Sequence, residues 1–339
     1  MYAIGFRRYW RKYVKQFFQG SDLIFVSQAS QVGPGHVALI WGQRPTPGLP
    51  ENAILLRIED GFLRSVGLGS QFAQPLSWVV DQRGLYFDAT GPSDLEDMLC
   101  AREYTQQECR RAQDLLDQIN KARISKYNTA GKAWNRPADK QHVILVVGQV
   151  ESDASIAYGA TTVQTNLALV EAVRAEHPEA WLVYKPHPDV VAGARAEGQG
   201  EHRIHHICDE VVSNAALTDL LDGCDEVHVN TSLTGFEALI RHKPVTCHGQ
   251  PFYAGWGLTI DKSDSVRRQR TLTLQELVAA ALIDYPLYIS RKTGTYTTPE
   301  NTLEELQEWR EQSATWPERF QTQCGKWTRG LASVLIGKH

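Results

Sequence analysis

Four short segments carry side chains that could do chemistry together. Glu59-Asp60-Gly61 ends one apolar run, Gln149-Val150-Glu151-Ser152-Asp153 follows a second, and Lys185-Pro186-His187-Pro188 follows a third. Asn230-Thr231-Ser232-Leu233-Thr234-Gly235 lies between a strand-like run and a helix-like one, with Glu237 just beyond. Each segment sits where a buried strand would open into a loop, the place where α/β proteins bind ligands. A partly desolvated carboxylate such as Asp60 can act as general base toward a hydroxyl. Glu151 and Asp153, one residue apart at a strand exit, are expected to point the same way. One of them could attack an anomeric carbon while Asp60 handles the acceptor proton, the two-carboxylate logic of retaining glycosyl transfer. Lys185 and His187, each followed by a proline that holds the loop extended, could both donate to a phosphate. Ser232, Thr234 and the backbone N–H groups beside them suit an anion at a helix start, and Glu237 could accept from ribose hydroxyls. Carboxylates beside a cationic phosphate site suggest transfer of an acidic sugar from a nucleotide donor.

Plainer readings exist for each segment. Asp-Gly is a common turn signal, Ser and Thr are favoured helix caps, and acids ahead of a helix complement its dipole. His202, His205, His206 and Cys208 match no zinc spacing and read as a histidine-rich surface loop, so no metal is expected.

The elements that must position these residues follow from the apolar runs. Runs at 23–26, 36–41, 53–58 and 76–81 read as buried strands, and 93–123 as one helix opened by a Ser93–Glu96 capping box. The polar stretch 128–141 reads as a linker. Beyond it come strands at 143–147, 181–184, 226–229 and 244–247, and helices at 165–176, 217–221 and 236–241. Helices are expected at 274–283, 300–311 and within 316–335. Strands alternating with helices imply a parallel sheet in each half. The expected fold class is therefore α/β: two Rossmann-like domains facing a central cleft. The expected division is 1–135 for an acceptor-side domain completed by helices from 300–339, and 136–299 for a donor domain.

The 339 residues carry a net charge of −4, with 22% charged and 42% hydrophobic side chains. This balance asks for no nucleic-acid partner. The six cysteines form no C-x-x-C pair and read as reduced thiols of a cytosolic protein. Segment 6–18, FRRYWRKYVKQFF, is expected to form a helix with an aromatic face and a basic face, suited either to docking on the core or to salt-sensitive contact with an anionic membrane. The abrupt start suggests one module of a longer protein.

Taken together, the motifs resemble those of the KpsC-type capsule polysaccharide proteins, which are bacterial retaining β-Kdo transferases. The resemblance runs through 59–69, 92–96, Lys126-Tyr127-Asn128, 148–155, 184–189, 231–238 and 251–259. It implies a GT-B architecture and CMP-β-Kdo as donor, with no cofactor. It implies a Kdo-terminated poly-Kdo glycolipid as acceptor, used at the inner face of the cytoplasmic membrane. Members carry two transferase modules in tandem, and this chain looks more like the C-terminal, β-2,7-forming one; β-2,4 transfer or another CMP-sugar is the alternative, and a non-catalytic export scaffold the alternative of another class. Carried over residue by residue, the resemblance implies His187, Ser232 and Thr234 at the CMP phosphate, Glu237 at the ribose, Asp60 as general acid/base, and Asp153, or second Glu151, as nucleophile. Arg64, Lys126 and Gln149 are candidates for the sugar carboxylate or the acceptor. With no D-x-D motif, cations and helix ends would neutralise the leaving group in place of a metal.

Overall fold

The computed structural model describes residues 1–69, 72–128 and 131–314. The chain opens with β1 (Tyr2–Ile4), α1 (Arg11–Phe17), β2 (Ile24–Val26), β3 (Val37–Trp41), β4 (Ile54–Asp60) and β5 (Ser77–Asp81), followed by α2 (Asp94–Ala101) and α3 (Gln106–Ala122). The second half runs through β6 (Val143–Val147), α4 (Ala154–Gly159), α5 (Asn166–Glu176), β7 (Trp181–Lys185), α6 (Pro188–Val191), β8 (Glu210–Val211), α7 (Leu217–Gly223), β9 (Glu226–Val229), α8 (Leu233–Leu239), β10 (Val245–Cys247) and β11 (Ile260–Asp261). The chain then returns through α9 (Leu274–Val278), a π-helical turn at Ala279–Asp284, β12 (Pro286–Tyr288) and α10 (Pro299–Ala314). The helix expected within 316–335 lies outside the described residues.

Two six-stranded sheets result, ordered β12-β5-β4-β3-β1-β2 and β11-β10-β9-β6-β7-β8. The second sheet is parallel throughout, as alternating strands and helices require. The first is mixed: β5 runs antiparallel to β4, and β12 antiparallel to β5. The parallel expectation fails there because the described residues between β4 and β5 hold no crossover helix, and β5 pairs antiparallel with β4. Residues 286–288, expected with the second half, pair in the first sheet.

Two helix expectations change for local reasons. The span 93–123 is two helices, because Thr105 and Glu108 form a second capping box after the break at Arg102. Ser93 does accept from the Glu96 N–H, but the Glu96 carboxylate turns away to Arg267 at 2.5 Å and Arg268 at 2.9 Å. A buried carboxylate gains more from two guanidinium groups than from one orphan N–H. That pairing fastens α2 to the segment before α9.

The aromatic-basic segment forms its helix only from Arg11, since Tyr2–Ile4 ahead of it is strand. Phe6, Tyr13, Val14 and Phe17 are buried, and Phe17 stacks on Trp78 with ring centroids 4.3 Å apart. Burying a side chain of that size contributes about 1.5–3 kcal/mol. The aromatic face is thus committed to the first sheet, leaving Arg7, Arg8, Arg11, Lys12 and Lys15 exposed. Among the described residues no helix is long and apolar enough to cross a membrane.

Candidate active site

A cavity of about 590 Å³ opens at the C-terminal ends of β4, β6, β7 and β9, between the two sheets. Its size suits a ligand of nucleotide-sugar dimensions, within the roughly 300–1,000 Å³ of small-molecule sites. Nine of the sequence-derived candidates line it: Asp60, Lys126, Gln149, Asp153, Lys185, His187, Ser232, Thr234 and Glu237. Arg64 and Glu151 do not.

The wall built by the first half begins at the end of β4. Gly61 follows Asp60, and a Cβ there would meet the Ser77 Oγ at 2.5 Å. Close approach of β5, rather than a positive φ, is what demands glycine. Asp60 Oδ2 pairs with Arg64 Nε at 2.5 Å, while Oδ1 is buried and has no hydrogen-bond partner among the described residues. Tyr86 Oη donates to the Asp60 carbonyl at 3.3 Å. Arg64 is fully buried and also donates to Ser65 Oγ, so its role is to hold Asp60 from behind. Beside them, burial and the neighbouring Asp60 push the Glu59 carboxyl up to about 8, so Glu59 carries a proton at neutral pH.

Lys126 reaches the same cavity from the loop after α3. Asn128 shapes that loop, accepting from Ser125 N–H and donating to the carbonyls of Ser125 and Ser65, with φ at +47°. The Ser65 and Gly67 N–H groups donate to the carbonyls of Lys126 and Tyr127. Burial alone would discharge the Lys126 ammonium, but Tyr127, Tyr86, Asp60 and Glu59 together outweigh it and raise its pKa. The Lys126 N–H donates to Glu237 Oε1 at 2.8 Å, linking this loop to α8 across the cleft.

The wall built by the second half is a set of strand exits. Gly148 after β6 leaves no room for a Cβ, which would collide with the Tyr184 hydroxyl. Gln149 then turns its amide to Thr231, accepting from its N–H at 2.9 Å and donating to its hydroxyl at 3.0 Å. It is a clamp between β6 and β9 at the cavity floor. The segment 150–153 is a turn, not strand, so Glu151 and Asp153 part company. Glu151 accepts from the N–H groups of Asn166 and Gln199, each at 2.8 Å, and both its oxygens are engaged away from the cavity. Asp153 is exposed in the cavity and caps α4 through its own neighbour's N–H.

At the end of β7, His187 Nδ1 accepts from the Asp189 N–H at 3.2 Å. In the neutral ring the proton therefore sits on Nε2, as a donor. Burial lowers the His187 pKa, favouring that neutral form, with Asp189 and Asp153 opposing. Burial likewise lowers the Lys185 pKa, and its Nζ donates to the Ala215 carbonyl at 3.1 Å. Ser232 caps α8, accepting from the Thr234 N–H. Glu237, buried one turn on, is raised by burial.

Sequence reasoning overlooked Tyr86 and left Glu59 without a role. Tyr86 follows β5 with no motif around it, and only the fold carries it to Asp60. Tyr127 belonged to a recognisable motif, Lys126-Tyr127-Asn128, whose aromatic member was not singled out. His202, His205 and His206 are exposed on a 3-10 turn, as a surface loop requires.

The chain is similar to known proteins over most of its length. It is 41% identical over 317 residues, 90% of this chain, to the capsule polysaccharide modification protein LipA of Neisseria meningitidis serogroup A, of which the match covers 45%. It is 42% identical over 278 residues to the lipopolysaccharide-processing protein LpsZ of Rhizobium meliloti, covering 79% of this chain and 63% of that protein. The chain therefore spans under half the length of LipA. Among solved structures, the β-Kdo 2,7 transferase of Thermosulfurimonas dismutans KpsC superposes with a TM-score of 0.75 at 38% identity, covering 91% of this chain and 98% of that one. The β-Kdo 2,4 transferase of the same protein gives 0.79 at 32% identity, with 90% and 97% covered. The two sheets facing one cleft are accordingly a GT-B-like fold. The capsule polysaccharide biosynthesis protein family matches residues 38–288, and this chain belongs to it.

Proposed function

We propose that this chain is a retaining glycosyltransferase that moves Kdo from CMP-β-Kdo to the poly-Kdo linker of a lipid-anchored capsular polysaccharide, forming the β-2,7 linkage. One observation carries the reading. A single cavity brings together a half-buried carboxylate whose buried Oδ1 lacks a hydrogen-bond partner among the described residues (Asp60), an exposed carboxylate (Asp153), and the donors His187 and Lys185. Asp153 attacks the anomeric carbon, the bond to the phosphate oxygen breaks, and CMP leaves with the bonding pair. His187 Nε2–H, Lys185, Ser232 and Thr234 stabilise the departing phosphate, and Glu237 receives the ribose hydroxyls. Asp60 then takes the proton of the acceptor hydroxyl, whose oxygen attacks the same carbon and expels the Asp153 carboxylate. Two inversions give retention. Lys126, whose pKa its surroundings raise, is placed to neutralise the sugar carboxylate. Glu237 already accepts from Lys126 N–H, so its second oxygen is the one available to ribose.

The higher sequence identity to the 2,7 transferase favours that linkage. The higher TM-score with the 2,4 transferase favours the second reading, β-2,4 transfer. We further assign the enzyme to the inner face of the cytoplasmic membrane, beside a second transferase module, because the exposed cations of 7–15 suit anionic headgroups. The deciding experiment supplies CMP-Kdo generated in situ and a synthetic Kdo-bearing acceptor, with product linkage read by NMR. Intact mass then looks for a covalent Kdo adduct in wild type that is absent from Asp153→Ala. A folded chain that leaves every acceptor unchanged overturns the reading in favour of a substrate-binding scaffold.

A further inference from the structure

A second cluster of titratable side chains lies at the opposite, N-terminal end of the second sheet. His142 immediately precedes β6, His177 follows α5, and Glu226 opens β9. The Nε2 atoms of His142 and His177 each stand 3.6 Å from Glu226 Oε1. One donor atom from each of the three lies within 4.8 Å of the other two. Tetrahedral ligands at ordinary zinc–nitrogen and zinc–oxygen distances stand about 3.4 Å from one another, so small rotations of the two rings would close this set. The three positions are far apart in sequence, which is why no zinc spacing announced them.

A supporting layer lies behind the cluster. His228, fully buried, places Nε2 at 3.3 Å from the same Glu226 oxygen and Nδ1 at 3.1 Å from His248 Nε2. The two rings stand in line behind the carboxylate, so the pair orients Glu226 from the buried side. Lys262, a nearby cation, is held by Glu176 at 2.6 Å. Metal-bound carboxylates and imidazoles are ordinarily steadied by such outer hydrogen bonds.

We propose that His142, His177 and Glu226 form a divalent transition-metal site, suited to zinc and open to water at its fourth position, that ties together the ends of α5, β6 and β9. Two imidazoles and one carboxylate are borderline donors that zinc accepts readily, and they exclude calcium and magnesium, which take oxygen cages. The site is remote from the cavity at the other strand ends, so the assignment stands apart from the proposed transfer reaction.

Zinc chloride titrated into chelator-treated protein at pH 7.5, against a chromophoric competitor, tests it. One zinc per chain is expected, with a rise in Tm. His177→Ala and Glu226→Gln should each weaken binding beyond roughly 100-fold, and His248→Ala, which acts through His228, by on the order of 10-fold. A variant lacking His202, His205 and His206 should bind as wild type does. Circular dichroism confirms that each variant is folded. Zinc binding that survives His177→Ala and Glu226→Gln, or that disappears with the 202/205/206 variant, overturns the proposal, as does the absence of binding at millimolar zinc.

Discussion

The two walls of the cavity present their carboxylates in opposite ways. On the first, Asp60 is half-buried and tethered to a buried arginine, and its buried Oδ1 has no hydrogen-bond partner among the described residues. On the second, Asp153 is exposed and accepts from the N–H next to it. A tethered carboxylate keeps its position while a proton moves on and off, whereas an exposed one at a helix start can advance toward a carbon. The cations are divided as well. The surroundings of Lys126 raise its pKa despite burial, while burial alone weakens Lys185 as a cation, and burial weakens His187 despite Asp189 and Asp153. An incoming phosphate would supply the missing counter-charge on that side. The cation of the first wall is thus compensated before ligand arrives, and those of the second are completed by it.

The sharpest way to break this contrast is substitution of the two acids. Asp153→Ala should abolish turnover, and Asp60→Ala should lower kcat by about 10²–10⁴-fold, the range for loss of a general base. Single-turnover measurements on each variant separate the steps. Should Asp60→Ala block loss of CMP as completely as Asp153→Ala, the division of roles falls.

Arg64→Ala comes next in size. It leaves the half-buried Asp60 carboxylate without its partner, and loss of one member of a buried pair costs up to about 3–5 kcal/mol. Urea unfolding reads the loss, with Arg64→Lys recovering part of it. A change below about 1 kcal/mol, the range of surface pairs, would show that Asp60 is solvated after all.

Glu59→Gln sharpens the contrast through pH. The folded-state pKa of Glu59 is raised to about 8 from 4.5, so the folded chain binds this proton more tightly than the unfolded chain does. Its contribution is fully present below pH 4.5 and is lost as pH rises through about 8. Glu59→Gln has no such proton to lose. Its stability relative to wild type should therefore rise steadily between pH 5 and 8.5 in urea unfolding, and a flat difference would refute the buried, protonated Glu59.

Least should follow from Glu151→Gln. Its oxygens serve the Asn166 and Gln199 N–H groups, so turnover should stay within about an order of magnitude of wild type, the change confined to stability of about 1–3 kcal/mol. Loss of all turnover in a folded Glu151→Gln chain would transfer the nucleophile's role to it.

Strand ends carried most of what could be read in advance. Asp60, Gln149, Lys185 and Ser232 each terminate an apolar run, and hydrophobic burial alone puts such ends on one edge of a sheet. What remained illegible depended on partners distant in sequence. Glu96 looks like a capping residue until Arg267 and Arg268 arrive beside it. Glu151 and Asp153 look equivalent until the turn at 150–153 separates them. The antiparallel β4–β5 pairing leaves no trace in hydrophobic pattern, because both sheet types bury the same apolar run. Gln149 was expected to meet ligand, and local composition could not reveal that Thr231 takes up its amide.

The return of the chain to its first sheet has a consequence during synthesis. β5 pairs on one side with β4, but its other neighbour is β12, whose residues follow some two hundred positions later. On a ribosome adding about 5–20 residues per second, that edge waits on the order of 10–40 s for its partner. Throughout that interval Trp78 and Val79 belong to an uncovered strand edge, the kind that recruits other chains. The nascent protein is therefore most exposed to aggregation while its second half is being made, and a chaperone that shields β5 would act in that window.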